Sequence, residues 1–369
     1  MIKNIDNARK IKMGSSFMNS AIALVISLIL GMVIIGISGY SPIESYIAIF
    51  GVSLGTLKGF ALSLSQATPL IFTGLAFAFA YKVKMINTGA EGQLYAGAMA
   101  AALVGAYITN LPSGVHALLG FAAAFLAGGL AALFVALCKV YLNANEIIVS
   151  LMLNEIIIFF TSYLANGPLK PPGSGVGQTK MIEDTAKLTK LIPQTQLTTA
   201  IFIAIITACV LAYLLDKTVF GYEIKVTGHN LKASNVAGIN VSKISLITFA
   251  LSGAIAGMGG AAMVLGVNYR FVEGFSSGYG FAGISIAALA AYNPIGVIFS
   301  AFLIGILKSG TITLNRTTSI PVELVDIIQV LVLIFVAAPA LIKSIMSRAK
   351  KVRSKSSREE HMEVKTSDI

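Results

Sequence analysis

The chain has 369 residues, 56% of them hydrophobic and only 12% charged, about half the charged share (~25%) of a soluble domain. That balance excludes an ordinary soluble enzyme, because the apolar residues gather into blocks of bilayer length. The net charge of +11 lies largely at the two termini, where it flanks apolar blocks; the positive-inside rule accounts for it and no nucleic-acid partner is expected.

Gly and Ala are abundant and no alternating strands recur, so the spans read as helices in contact with membrane lipid. Residues 1–16 form a cytoplasmic N-terminus with Lys3, Arg9, Lys10 and Lys12. A first span over 17–38 is too long for a signal-peptide core and is retained. Residues 41–60 are expected as a helix in the outer interface. A second span, 62–81, contains Pro69 and ends inside at Lys82 and Lys84. The polar segment 86–93 precedes a third span, 94–109, and Lys139 ends a fourth, 116–137. A fifth, 147–164, carries Asn154 and Glu155 near its middle, and an outer loop follows over 167–196.

A sixth span, 197–215, returns to a polar cytoplasmic segment, 216–243, and a seventh covers 244–267. After an outer loop, 268–280, two short apolar pieces, 281–291 and 295–307, are joined by Tyr292-Asn293-Pro294. Each is shorter than the ~20 residues of a full span, so they are short or broken spans, or a re-entrant pair. Residues 308–321 are expected outside, 322–342 form the last span, and 343–369 are a basic cytoplasmic tail. The expectation is an all-α polytopic membrane protein with about ten transmembrane helices, one pair of them short or broken. Its membrane domain covers 17–342 and both termini are cytoplasmic. Cys138 and Cys209 read as free thiols.

The segment 216–243 is too polar for lipid yet carries ordering signals. Gly228, His229 and Asn230 suggest a turn, with Asn230 as N-cap of a short helix over 231–236 that Gly238 closes. Such a helix between two spans is either an ordinary solvated loop or a knob for a groove on a soluble partner. Polar groups inside spans either line a substrate path or fix packing by hydrogen bonds, and Asn154 and Glu155 are open to both readings. Residues 87–93 suggest a helix break that exposes backbone to a cavity. Small residues at helical spacing, Gly97, Ala101 and Gly105, and Gly253, Gly257 and Ala261, allow close helix approach.

No HExxH, GxSxG or GxxxxGK[ST] motif is present, so neither catalysis nor ATP binding is expected of this chain, and no cofactor or metal. An ion-coupled carrier would show more intramembrane charge than Glu155. The energy source is therefore expected on another chain.

Several stretches together resemble one family. Asn87-Thr88-Gly89-Ala90-Glu91-Gly92-Gln93 is similar to its N-I-G-A-E-G-Q signature, with Thr88 in place of the commoner Ile. Asn145-Glu146-Ile147-Ile148 and Leu151-Met152-Leu153-Asn154 resemble its N-E-V-I…L-M-L-N stretch. Gly228-His229-Asn230, Ala233, Ala237-Gly238-Ile239 and Ser252 to Gly257 resemble its cytoplasmic loop and following helix, and Asn293-Pro294-Ile295-Gly296 its N-P-x-G turn. The family is the permease subunits of bacterial ABC importers for simple sugars and nucleosides, and the G-A-E-G-Q form resembles the nucleoside branch. The resemblance implies a bacterial cell-membrane protein that works with a cytoplasmic ABC ATPase, a second permease subunit and a lipid-anchored substrate-binding protein. It implies ATPase coupling through Gly228, His229, Asn230, Ala233, Ala237 and Gly238. Asn87, Glu91, Gln93, Asn154 and Glu155 are the candidates for the path, whose polar groups suit a nucleoside or a sugar.

Overall fold

The computed structural model describes residues 29–317 apart from Ser38. The expected N-terminus, most of the first span, the last span and the basic tail lie outside the described residues. Residues 29–37 are helical. The helices that follow are α1 (Pro42–Gly55), α2 (Leu57–Ala80), α3 (Ala90–Tyr107), α4 (Val115–Leu142), α5 (Glu146–Asn166) and α6 (Ala200–Lys217). Then come α7 (Val219–His229), α8 (Leu231–Val236), α9 (Val241–Met263), α10 (Tyr279–Leu289) and α11 (Pro294–Thr317). Among the described residues there is no strand longer than an isolated bridge.

Among the described residues, five helices are long and apolar enough to cross a membrane: Leu57–Val83, Val115–Leu142, Glu146–Asn166, Ala200–Lys217 and Val241–Asn268. The chain is thus a multi-pass helical membrane protein; five of the spans expected from the sequence are met in this way. α3 is less apolar, because Glu91 and Gln93 fill its first turn, but most of its residues are buried by neighbours.

The centre is the packing of α9 against α2, α3 and α4. Lipid gives no hydrophobic drive between helices, so close backbone approach and hydrogen bonds must hold them. The small-residue faces supply the approach: a Cβ on Gly257 would lie 2.3 Å from the Ala124 carbonyl oxygen, and one on Gly97 2.3 Å from that of Gly257.

Several boundaries differ from the sequence expectation. α2 starts at Leu57, five residues early, because the Thr56 side chain accepts from the Gly59 N–H at 3.0 Å and caps it. The 81–89 break is real, with a 3-10 turn over Tyr81–Val83 and left-handed Lys84. Helix nevertheless resumes at Ala90, so Glu91, Gly92 and Gln93 belong to α3 and not to an open loop. The 167–196 loop is ordered: Ile182, Ala186 and Leu188 join the core, and His116 binds Thr185 at 2.8 Å and the Val104 carbonyl at 3.0 Å.

The two short pieces are unequal. α10 has only 11 residues, ~17 Å at 1.5 Å per residue, and the 269–278 segment ahead of it packs inward, with Phe271 fully buried. α11 runs for 24 residues, so 308–317 continue a helix where a loop was expected. Tyr292 turns between them and stacks on Tyr81 at 3.9 Å, which brings this turn to the same end of the bundle as the 81–89 break.

Candidate functional site

Three of the five expected path residues, Asn87, Gln93 and Asn154, meet in one buried polar knot; like Glu91, each is at most 4% exposed. The Asn87 amide donates to Gln93 Oε1 at 2.9 Å and to Ser252 Oγ at 2.7 Å, and Gln93 Nε2 donates back to Asn87 Oδ1 at 2.9 Å. Ser252 Oγ donates in turn to the Ala76 carbonyl at 2.7 Å. Asn154 Oδ1 accepts from the Gly92 N–H at 2.8 Å, while its Nδ2 donates to the Thr88 carbonyl at 2.9 Å. The knot therefore ties α2, α3, α5 and α9 around the helix break and satisfies the backbone that the break frees.

Glu91 has a separate task. Its Oε2 accepts from the Gly280 N–H at 2.6 Å, so the carboxylate caps the N-terminus of α10, where the helix dipole favours negative charge. Lys308 Nζ stands 4.1 Å from the Tyr279 ring centre beside this cap. Asn145 and Glu146 are structural as well: Asn145 caps α5 through the Ile147 N–H at 2.9 Å, and Glu146 pairs with Lys139 at 2.9 Å.

Glu155 is placed differently. One face of α5, with Ser150, Asn154, Thr161 and Ala165, is buried. Glu155 is on the exposed side, and at helical spacing it shares a stripe with Phe159, Ser162 and Asn166. The neighbouring stripe of Ile156, Phe160 and Tyr163 is also exposed but carries no charge.

The polar stripe ends in a cleft of about 240 Å³ lined by Tyr95, Ile158, Phe159, Ser162, Phe271, Glu273 and Gly274. Tyr95, Phe271 and Phe275 form an aromatic cluster at its base, with ring centres 4.8–6.1 Å apart. Ser162 Oγ donates to Glu273 Oε1, and Asn166 Nδ2 donates to Oε2 at 2.8 Å. These two bonds hold the Glu273 carboxyl below its usual range. Glu273 falls within the 268–280 loop, where no local pattern marks it as a site beyond the flanking Phe271 and Phe275.

In the 216–243 segment, α8 spans Leu231–Val236, and the Asn230 side chain accepts from the Ala233 N–H at 3.1 Å, as the sequence predicts. Gly238, at φ +81°, follows it. Gly228 and His229 are not a turn: they are the last residues of α7. Gly228 is needed for approach instead, since a Cβ there would lie 1.8 Å from the Lys82 carbonyl oxygen. α7 thus rests on the 3-10 turn that leads into the polar knot. Leu231, Ala233, Val236 and Ala237 are exposed at the tip.

A family model described as "Branched-chain amino acid transport system / permease component" matches residues 59–337. The chain belongs to this permease family. The permease is 32% identical to the guanosine ABC transporter permease protein NupP of Bacillus subtilis (strain 168), over 89% of this chain and 95% of that one. It is 29% identical to the nucleoside ABC transporter permease protein NupB of Lactococcus lactis subsp. cremoris (strain MG1363), over 90% and 94%. It is 30% identical to the glucose ABC transporter permease protein TsgB13 of Haloferax volcanii, over 92% of each. No solved structure matches the chain. The permease is a transport subunit of an ABC importer rather than an enzyme.

Proposed function

We propose that this permease serves an ATP-driven nucleoside importer and that the Glu155 face of α5 borders the translocation path, between this chain and a second permease. The observation that carries this reading is Glu155 itself, an exposed carboxylate in the middle of an apolar helix. A charge there costs several kcal/mol against lipid (~3 on insertion scales), so it belongs against water or a partner. Asn87, Glu91, Gln93 and Asn154 stand behind this face and position it. The nucleoside class is supported by the names of the two relatives that bear it.

The ATPase docks on α7 and α8, on the cytoplasmic side with both termini, and a lipid-anchored binding protein delivers substrate at the opposite face. The exposed apolar tip of α8 supports this, as does the contact of Gly228 with the turn before the knot. Motion of α7 would pass through Lys82 to the break and from there to α3, α5 and α9. A sugar importer is the second reading, favoured by the glucose-named relative.

The test is uptake into proteoliposomes holding both permeases, the ATPase and the binding protein. ATP-dependent uptake of guanosine or uridine, absent with a hydrolysis-dead ATPase, is expected. Uptake of hexose but not nucleoside moves the substrate class, and uptake driven by an ion gradient without ATPase removes the reading.

A further inference from the structure

The cleft at the end of the α5 stripe has the two chemistries that a nucleoside requires, set side by side. Tyr95 and Phe271 form a rigid wall, 5% and 0% exposed, backed by Phe275. Phe159, 69% exposed, forms the open lip. Across from them stands Glu273, whose two oxygens each already take one hydrogen bond, from Ser162 and Asn166. A carboxylate offers about four acceptor positions, so roughly two remain for a ligand. The two side-chain donors and the Glu273 N–H, which binds the Gly177 carbonyl at 2.8 Å, fix the carboxylate's direction. The volume, about 240 Å³, lies just under the ~300–1,000 Å³ typical of small-molecule pockets, which suits one small ligand in a site open on one side.

We propose that this cleft is a substrate station for a nucleoside, with the base stacked on the exposed Phe159 ring over the buried Tyr95–Phe271 wall and the ribose 2′- and 3′-hydroxyls donating to Glu273. Aromatic faces accept any base, and a carboxylate accepts a vicinal diol, so the station selects nucleosides as a class over free bases and over sugars without a base. Stacking contributes ~1–3 kcal/mol per base and a hydrogen bond to a charged group ~1.5–3 kcal/mol. The station is therefore weak enough to release its cargo, as a path requires. It rests on the proposed nucleoside path and adds where along it, and by which groups, the cargo is held.

The experiment uses the reconstituted importer. ATP-driven uridine uptake by the unaltered complex is measured first, because its absence overturns the nucleoside reading and the station with it. The chain has no tryptophan, so Phe159→Trp adds a reporter whose signal is read as the difference from the same complex with Phe159. In the complex without binding protein, uridine should change this signal saturably. 2′,3′-Dideoxyuridine should bind about tenfold more weakly, having lost the diol bonds. Ribose should bind about tenfold more weakly, having lost the base stack.

Glu273→Gln should erase the difference between uridine and its dideoxy analogue, a readout that a purely structural tie to α5 would not move. Phe159→Ala, at an exposed position, should lower the maximal uptake rate of uridine about fivefold. Native uridine uptake together with no saturable signal, or with an unchanged ribo-to-dideoxy ratio in Glu273→Gln, overturns the station and leaves the importer reading standing.

Discussion

Asn154 on α5 and Gly92 on α3 are joined by a hydrogen bond of 2.8 Å, from the backbone N–H of one helix to the side chain of the other. A Cβ on Gly92 would lie 2.7 Å from the same Asn154 oxygen. Position 92 therefore has room only for glycine, and the bond sets the height at which α5 meets the helix break. Asn154→Leu should leave the Gly92 N–H and the Thr88 carbonyl unpaired, at about 1–3 kcal/mol for each buried group. A lowered melting temperature of the purified complex checks this; an unchanged one would show that the bond is dispensable.

The contact of α9 with α4 depends on Gly257. Gly257→Ala puts a methyl against the Ala124 carbonyl and should cost about 1–3 kcal/mol by overpacking. Gly175→Ala, with nothing within 4 Å of its Cβ, is the matched control. Equal stability of the two variants in detergent would contradict the close packing.

At the tip formed by α8, Asn230→Ala removes the helix cap and should cost about 1 kcal/mol locally. Gly238→Arg forces a side chain into a left-handed conformation at roughly 1–2 kcal/mol. Both, and a charge at Ala233, should lower uptake while ATP hydrolysis by the complex persists. Unaltered uptake in all three would remove this tip from coupling.

For Glu155, accessibility is the decisive readout. Glu155→Cys in the assembled complex should react with a water-soluble maleimide, whereas Ile156→Cys and Phe160→Cys on the adjacent apolar stripe should not. Equal labelling of the two stripes would leave Glu155 without a path. Glu155→Gln should change transport rate or selectivity without preventing assembly.

Acid should loosen the end of α5. Ser162 and Asn166 lower the native pKa of Glu273 below its unfolded value. Their contribution is therefore present above the ordinary carboxyl range and lost as pH falls through the depressed native value. A pH series of thermal unfolding should show this loss in the native permease and not in Glu273→Gln; parallel curves would deny the linkage.

The sequence by itself determined the membrane class, five of the expected spans and the capped helix after Asn230, because block hydropathy, helix caps and short turn signals are local. It also marked Asn87, Glu91, Gln93 and Asn154 as unusual, since a polar group in an apolar block is visible in one dimension. Only the tertiary structure decided which of these pair with one another and which faces outward. Asn154 and Glu155 are neighbours in sequence, yet 100° of helical rotation puts one in the knot and the other on the exposed face. Gly228 could not be read from its neighbours, because the atom it makes room for, the Lys82 oxygen, is far away in the chain. The same holds for Glu273, a loop residue whose partners Ser162 and Asn166 come from α5. Burial and long-range hydrogen bonds depend on how helices pack, and local periodicity carries no record of that.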